Sequence, residues 1–343
     1  MCWPQAVPGR HARRSVRAEH GAAGHGIRRP PRQDGGPRLV RSAERDPGAD
    51  PRAGRASSGD GYRDALQGRC GCGVVRPEGA VARGRRDRCG GPARTTDAAR
   101  SSSSRVVRYD HRDTGRSTRA FAEHPYPLRD LAEDAVAVLD ALGLDRAHVV
   151  GMSMGGTLVQ LLLLDHPGRL LSATVLATSA LGAGPGGPGD TGLPGPDPRL
   201  LELWQHLADP RDPDEEIEWR VEHWRVLNGD VLPFDPEEFR RLEERVVAHS
   251  GTAENPAAHA LADQSGLDRA GELSGVTVPV LVVEAPDDPV NPPPHARHLA
   301  ASVGSARLVT VPGLGHALPH SVLGPLADAV LERTAAVDGG RTG

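Results

Sequence analysis

The stretch HVVGMSMGGTLVQLLLLDHP, His148 to Pro167, constrains the fold more than any other in the chain. A short apolar run ends at Gly151. A serine then stands between two methionines, a second glycine follows, and a long apolar segment runs to Pro167. A brief apolar run followed at once by helical apolar spacing reads as strand, turn and helix. A Gly-x-Ser-x-Gly at such a junction lifts the serine hydroxyl above the end of a sheet. Gly151 and Gly155 then remove side chains where the chain doubles back. The plainer alternative is a tight turn whose serine caps the helix.

The elements around this junction alternate. Arg105–Tyr109 reads as a strand, followed by the polar turn DHRDTGRS. Apolar residues at Leu128, Leu131, Ala135, Val138, Leu139 and Leu142 predict a helix over 127–142, ended by Gly143. Strands are expected at 147–150 and 171–177, with the helix 154–165 between them. Val278–Ala285 has no alternation, as in a strand covered on both faces. A helix at 294–303, a strand at 306–311 and a closing helix at 325–337 complete the pattern. Strand alternating with helix predicts an α/β fold: a mostly parallel sheet with helices on both faces. The alternation lapses between 182 and 275. There a Gly/Pro-rich loop leads into charged helical segments carrying Trp204, Trp219 and Trp224, read as an inserted helical cap.

Composition divides the chain near residue 104. Residues 1–104 carry 21 arginines against ten acids, whereas 105–343 carry 20 against 35. The first part has nine Val, Leu or Ile residues and no Phe, too little apolar surface to offset chain entropy. It is read as a low-order Arg/Gly/Pro-rich segment, an unstructured tail in preference to a nucleic-acid or membrane arm. The acidic second part argues against nucleic acid as a partner. No apolar run approaches the length of a membrane span, and no secretory signal is visible, so a soluble cytoplasmic protein is expected. All four cysteines fall in the first part. Cys70, Cys72 and Cys89 fit no zinc-ribbon or finger spacing, so no metal site is expected.

A serine hydroxyl needs a base to become a nucleophile, and the base needs an acid to orient it. Two late strand ends supply the right residue types in the right order. VPVLVVEA runs into PDDPVNPP, offering Asp287 and Asp288; Asp288 is preferred because Pro289 and Val290 follow it. ARLVTVPGLGHALP offers His316, with His320 a weaker candidate. The expected set is Ser153 as nucleophile, His316 as base and Asp288 as orienter. The Met154 N–H at the start of the helix is one oxyanion donor. This chemistry calls for no metal or organic cofactor. Met152, with the three tryptophans, is a candidate substrate contact.

GMSMGG, APDDPVNPP and VPGLGHALP together resemble the α/β-hydrolase superfamily. RVVRYDHRDTGRST, DRAHVVGMSMGG and IEWRVEHWRVLNG resemble, more narrowly, the aclacinomycin methylesterase group, over about residues 105–335. The resemblance implies the same three site residues, a cap-lined pocket and a bulky apolar ester, with a methyl ester of a polyketide as the substrate type. The rival readings are a cofactor-free perhydrolase or haloperoxidase-type activity on the same three residues, and an impaired or non-catalytic relative.

The last rival arises because the family's opening strands, and the loop giving the second oxyanion donor, should precede Arg105. His25–Gly26 and Gly35–Gly36 lack a preceding strand, and Leu39–Val40 and Val74–Val75 read as too short for central strands. Two core strands are therefore expected to lack the neighbour between them. The composition of 1–104 is that of a GC-rich gene translated out of frame, and we read it so.

Overall fold

The computed structural model describes residues 73–77, 104–183, 192–254 and 257–340. Among the described residues six strands form one sheet: β1 Gly73–Pro77, β2 Ser104–Val107, β3 Ala147–Met152, β4 Leu170–Leu176, β5 Val280–Glu284 and β6 Ala306–Thr310, in the order β2-β1-β3-β4-β5-β6. The pairs β3–β4, β4–β5 and β5–β6 are parallel.

The slot expected to stand vacant is filled. β1 lies between β2 and β3 and runs antiparallel to both, pairing Val74 with Val107 and with Val149. Val74–Val75 alone read as too short for a central strand, but they belong to the five-residue run Gly73–Pro77, which is paired on both sides and occupies the position. Its direction has a consequence for the site. Gly73 pairs with Val150, at the rim where β3 ends, and Pro77 pairs with Ser104 at the far rim. The strand therefore leaves the sheet away from Ser153. Cys2, Cys70, Cys72, Cys89, His25–Gly26, Gly35–Gly36 and Leu39–Val40 lie outside the described residues.

The sheet is packed on both faces, and alternate strand residues divide between them. Val149, Val175, Val280 and Val282 join one apolar cluster with Leu131, Leu158, Leu162 and Leu299. Val150, Leu176, Leu281 and Val283 join another with Val322, Leu326 and Val330. Helices α1 (Asp130–Ala141), α2 (Met154–Asp165) and α7 (His295–Ser302) thus cover one face, and α8 (His320–Gly339) covers the other. α2 is apolar nearly all round because it is buried nearly all round. α8 starts five residues before Pro325, where the sequence suggested a start. Its first turn already buries Val322 and Leu323, and that packing carries the helix through the proline.

Between β4 and β5 lie α3 (Pro198–Gln205), α4 (Pro213–Leu227), α5 (Pro236–Ser250) and the single turn α6 (Ala258–Leu261). Three start alike, with Asp197, Asp212 or Asp235 accepting first-turn N–H groups ahead of a proline. Their interior is partly ionic: Arg220 bonds Glu216 at 2.8 Å and Glu243 at 3.1 Å, all buried. Glu243 also accepts from Trp224 Nε1 at 2.8 Å.

β2 ends at the same rim as β3, and the DHRDTGRS turn follows it. Asp113, in the left-handed region at φ 63°, accepts from Ala120 N (2.7 Å), Phe121 N (2.9 Å) and Tyr126 Oη (2.7 Å). The turn is thus a folded unit in its own right. It is tied to the helical insertion by His249 Nε2 to Asp110 (2.7 Å) and His259 Nε2 to the Arg112 carbonyl (2.9 Å). Within it His111 is buried, edge-on to Tyr109 and His259, and neither ring nitrogen has a hydrogen-bond partner among the described residues.

Candidate active site

Ser153 sits between β3 and α2 with φ 54° and ψ −121°, a strained conformation for a residue with a side chain. The surroundings hold it there. Its N–H donates to the Leu176 carbonyl at 3.0 Å, and its carbonyl accepts from Thr157 N at 3.1 Å. A Cβ on Gly151 would overlap the Gly155 carbonyl, and one on Gly156 would run into Thr178. The second of these requirements is not part of the Gly-x-Ser-x-Gly pattern. Ser153 makes no side-chain capping bond to α2, which removes the reading of this serine as a helix cap.

The hydroxyl points instead at a histidine. His316 Nε2 lies 3.0 Å from Ser153 Oγ. His316 Nδ1 lies 2.9 and 3.0 Å from the two carboxylate oxygens of Asp288. The carboxylate fixes the tautomer: Nδ1–H donates to Asp288, which leaves the Nε2 lone pair for the serine proton. Asp288 Oδ1 also accepts from Val290 N (2.8 Å) and Asn291 N (3.1 Å), so the carboxylate is held in place. All three side chains are buried or nearly so, Ser153 being the most open at 9%. The residues come from three separate strand ends, after β3, β5 and β6, and meet at one rim of the sheet. A hydroxyl, an imidazole and a carboxylate in this series can pass a proton off the serine as it attacks a carbonyl carbon.

The other expected residues divide. Asp287 turns away from His316 and accepts from Val231 N at 2.8 Å. His320 opens α8, its N–H bonded to Glu238 at 2.7 Å. Met154 starts α2, so its N–H belongs to the uncapped first turn beside Ser153. Met152 packs on the α8 side of the sheet. Trp224 stacks on Phe239 at 5.3 Å within the insertion. Trp204 Nε1 donates to His223 Nε2 at 3.1 Å, and Trp219 stacks on the same imidazole at 5.5 Å.

His223 was missed in the sequence. It is 3% exposed, and burial, with His316 nearby adding a smaller effect, pushes its pKa down to about 3. The imidazole is therefore neutral beside His316. A signal existed: Trp219 and His223 are four residues apart in EWRVEHW, on one face of α4.

A family model described as the alpha/beta hydrolase fold matches residues 96–320. The chain belongs to the α/β hydrolase fold family. Among its relatives within that family are the rhodomycin D methylesterases DauP of Streptomyces sp. strain C5 and DnrP of Streptomyces peucetius. Each is 49% identical over 242 residues, covering 67% of this chain and 81% of its own. A solved α/β hydrolase, MGS-M2 from a Medee basin deep-sea metagenome library, shares the fold at TM-score 0.51. It is 18% identical and covers 69% of this chain and 81% of its own. Among the described residues no helix is long and apolar enough to cross a membrane.

Proposed function

We propose that the chain is a serine carboxylic-ester hydrolase acting through Ser153, His316 and Asp288 on a methyl ester of a polyketide-type acid. The observation that carries this reading is Ser153 itself: a strained, uncapped serine whose hydroxyl lies 3.0 Å from an imidazole already oriented by a carboxylate. The substrate class rests on the two methylesterase relatives at 49% identity.

Ser153 Oγ attacks the ester carbonyl carbon while His316 Nε2 takes its proton. The carbonyl oxygen becomes an oxyanion that the Met154 N–H at the α2 N-terminus stabilises. The intermediate collapses, and the imidazolium returns the proton to the departing alkoxide, which leaves as methanol. Water then attacks the acyl-serine, giving its proton to His316, and the carboxylic acid and free Ser153 result. Asp288 stays ionised and stabilises the imidazolium at each step. Helices α3 to α6 are proposed as the cap over this site, with Trp204 bonded to and Trp219 stacked on His223. Trp224 is assigned to packing within the insertion.

The test uses an aromatic polyketide methyl ester, a p-nitrophenyl ester and a fluorophosphonate probe on wild type and Ser153→Ala. Wild type alone should be labelled, with methanol released from the methyl ester. Ser153→Ala should lose at least about a thousandfold in rate, as for other triads of this kind. Equal labelling of both proteins, or none of a folded wild type, would refute the proposal.

A further inference from the structure

The turn that ends α4 is held between the two loops bearing His316 and Asp288. On one side, the Leu227 carbonyl accepts from His316 N at 2.7 Å and Ala317 N at 3.1 Å. A Cβ on Gly315 would collide with the Asn228 carbonyl, so chain approaches chain without a side chain between. On the other side, Asp287 Oδ2 accepts from Val231 N at 2.8 Å. Gly229, at φ 75°, lies so near Asp287 that a Cβ there would overlap the carboxylate. Asn228 closes the turn by donating Nδ2 to the Leu232 carbonyl at 2.9 Å. Asp287 N in turn donates to the Leu314 carbonyl at 3.0 Å, linking the two loops directly. Consecutive carboxylates on one loop thus serve different ends: Asp288 meets the imidazole, and Asp287 meets the segment that holds the imidazole's backbone.

We infer that Asp287 is a positioning residue for the proposed reaction, seating the 227–231 turn so that the Leu227 carbonyl fixes the backbone of His316. The inference rests on the esterase reading of the site and deepens it. Val231 N belongs to a segment beyond the end of α4, so without Asp287 the turn keeps its own internal bonds, those to 316–317 and the exposed pair of Asp230 with Arg199, none of which ties it to the Asp288 loop. The hydrogen bond from serine to imidazole weakens steeply with misalignment, so a small shift of residue 316 is felt in the chemical step.

The experiment compares wild type, Asp287→Ala and Asp287→Asn, with active sites titrated by a fluorophosphonate. Asp287→Ala should lower kcat per titrated site on a p-nitrophenyl ester about tenfold to a hundredfold, with KM little changed. Asp287→Asn keeps an oxygen to accept from Val231 N and should return kcat to within about threefold of wild type. An Asp287→Ala enzyme that melts earlier yet keeps wild-type kcat per site overturns the inference. So does an Asp287→Asn enzyme as slow as Asp287→Ala. A second readout separates this inference from the esterase reading. The low-field proton resonance of the His316–Asp288 hydrogen bond, assigned by its loss in His316→Ala, should shift or broaden in Asp287→Ala and return in Asp287→Asn. If wild type neither hydrolyses nor labels, the esterase reading fails, and this resonance alone decides whether Asp287 positions His316. An unchanged resonance in Asp287→Ala overturns it.

Discussion

The buried imidazole of His111 makes the pH dependence of folding a direct test of the fold. Burial is the main cause that pushes its pKa down to about 3, with nearby His259 acting in the same direction. In the unfolded chain the same group titrates near its ordinary value of about 6.5. Because the folded pKa is depressed, the unfolded chain binds the proton first, and stability falls as the pH drops below about 6.5. Integrating between the two pKa values gives almost no effect at pH 7.5 and a loss of about 2 kcal/mol at pH 5. Groups other than His111 that titrate in this window do so in wild type and in a variant lacking the imidazole alike, so their difference isolates His111. Leucine at this position has a similar volume, and since neither ring nitrogen is bonded among the described residues, His111→Leu breaks no hydrogen bond there. Urea unfolding of both proteins from pH 7.5 to 5 should therefore show the His111→Leu variant gaining on wild type by about 2 kcal/mol as the pH falls. Stability curves that stay parallel across this range would refute the reasoning, since His111 would then titrate alike in both states.

Three further outcomes follow from the geometry. Gly151→Ala drives a methyl into the Gly155 carbonyl; thermal unfolding should show a loss of about 1–3 kcal/mol and fluorophosphonate labelling should slow sharply. Arg220→Ala removes the buried cation shared by Glu216 and Glu243, leaving Arg211 on Glu216, and should cost about 3–5 kcal/mol, read by urea unfolding. Asn291→Ala removes the Nδ2 bond to the Ala177 carbonyl at 3.1 Å, between the Asp288 loop and the end of β4; a loss of about 1 kcal/mol in stability is expected by the same assay.

What could be read in advance was what side chains announce. The helix from Met154 to Asp165 was bounded correctly because a glycine-rich turn and a proline frame an apolar run. Asp288 and His316 stood out because each follows a strand in a short, glycine- or proline-rich turn. β1 escaped because GVVRP has no local period: its place in the sheet is decided by pairing with residues more than 25 and 70 positions away. The seating of α4 on the His316 loop escaped for another reason. Its central bond is made by a backbone carbonyl, that of Leu227, and any residue type supplies one. His111 gave no hint of being kept neutral, since its environment is assembled from Tyr109 and the distant His259.

The reversed course of β1 reaches beyond the order of the strands. Five of the six strands among the described residues point the same way, so their carboxyl ends deliver loops to the edge where the serine, imidazole and carboxylate converge. β1 alone presents its amino end there, through Gly73 beside Val150. Its carboxyl end, Pro77, lies at the opposite edge, beside Ser104. On the reading proposed above, the oxyanion donor Met154 N–H comes from the turn after β3, one of the carboxyl ends gathered at this edge, and efforts to retune the rate belong in the loops that reach it.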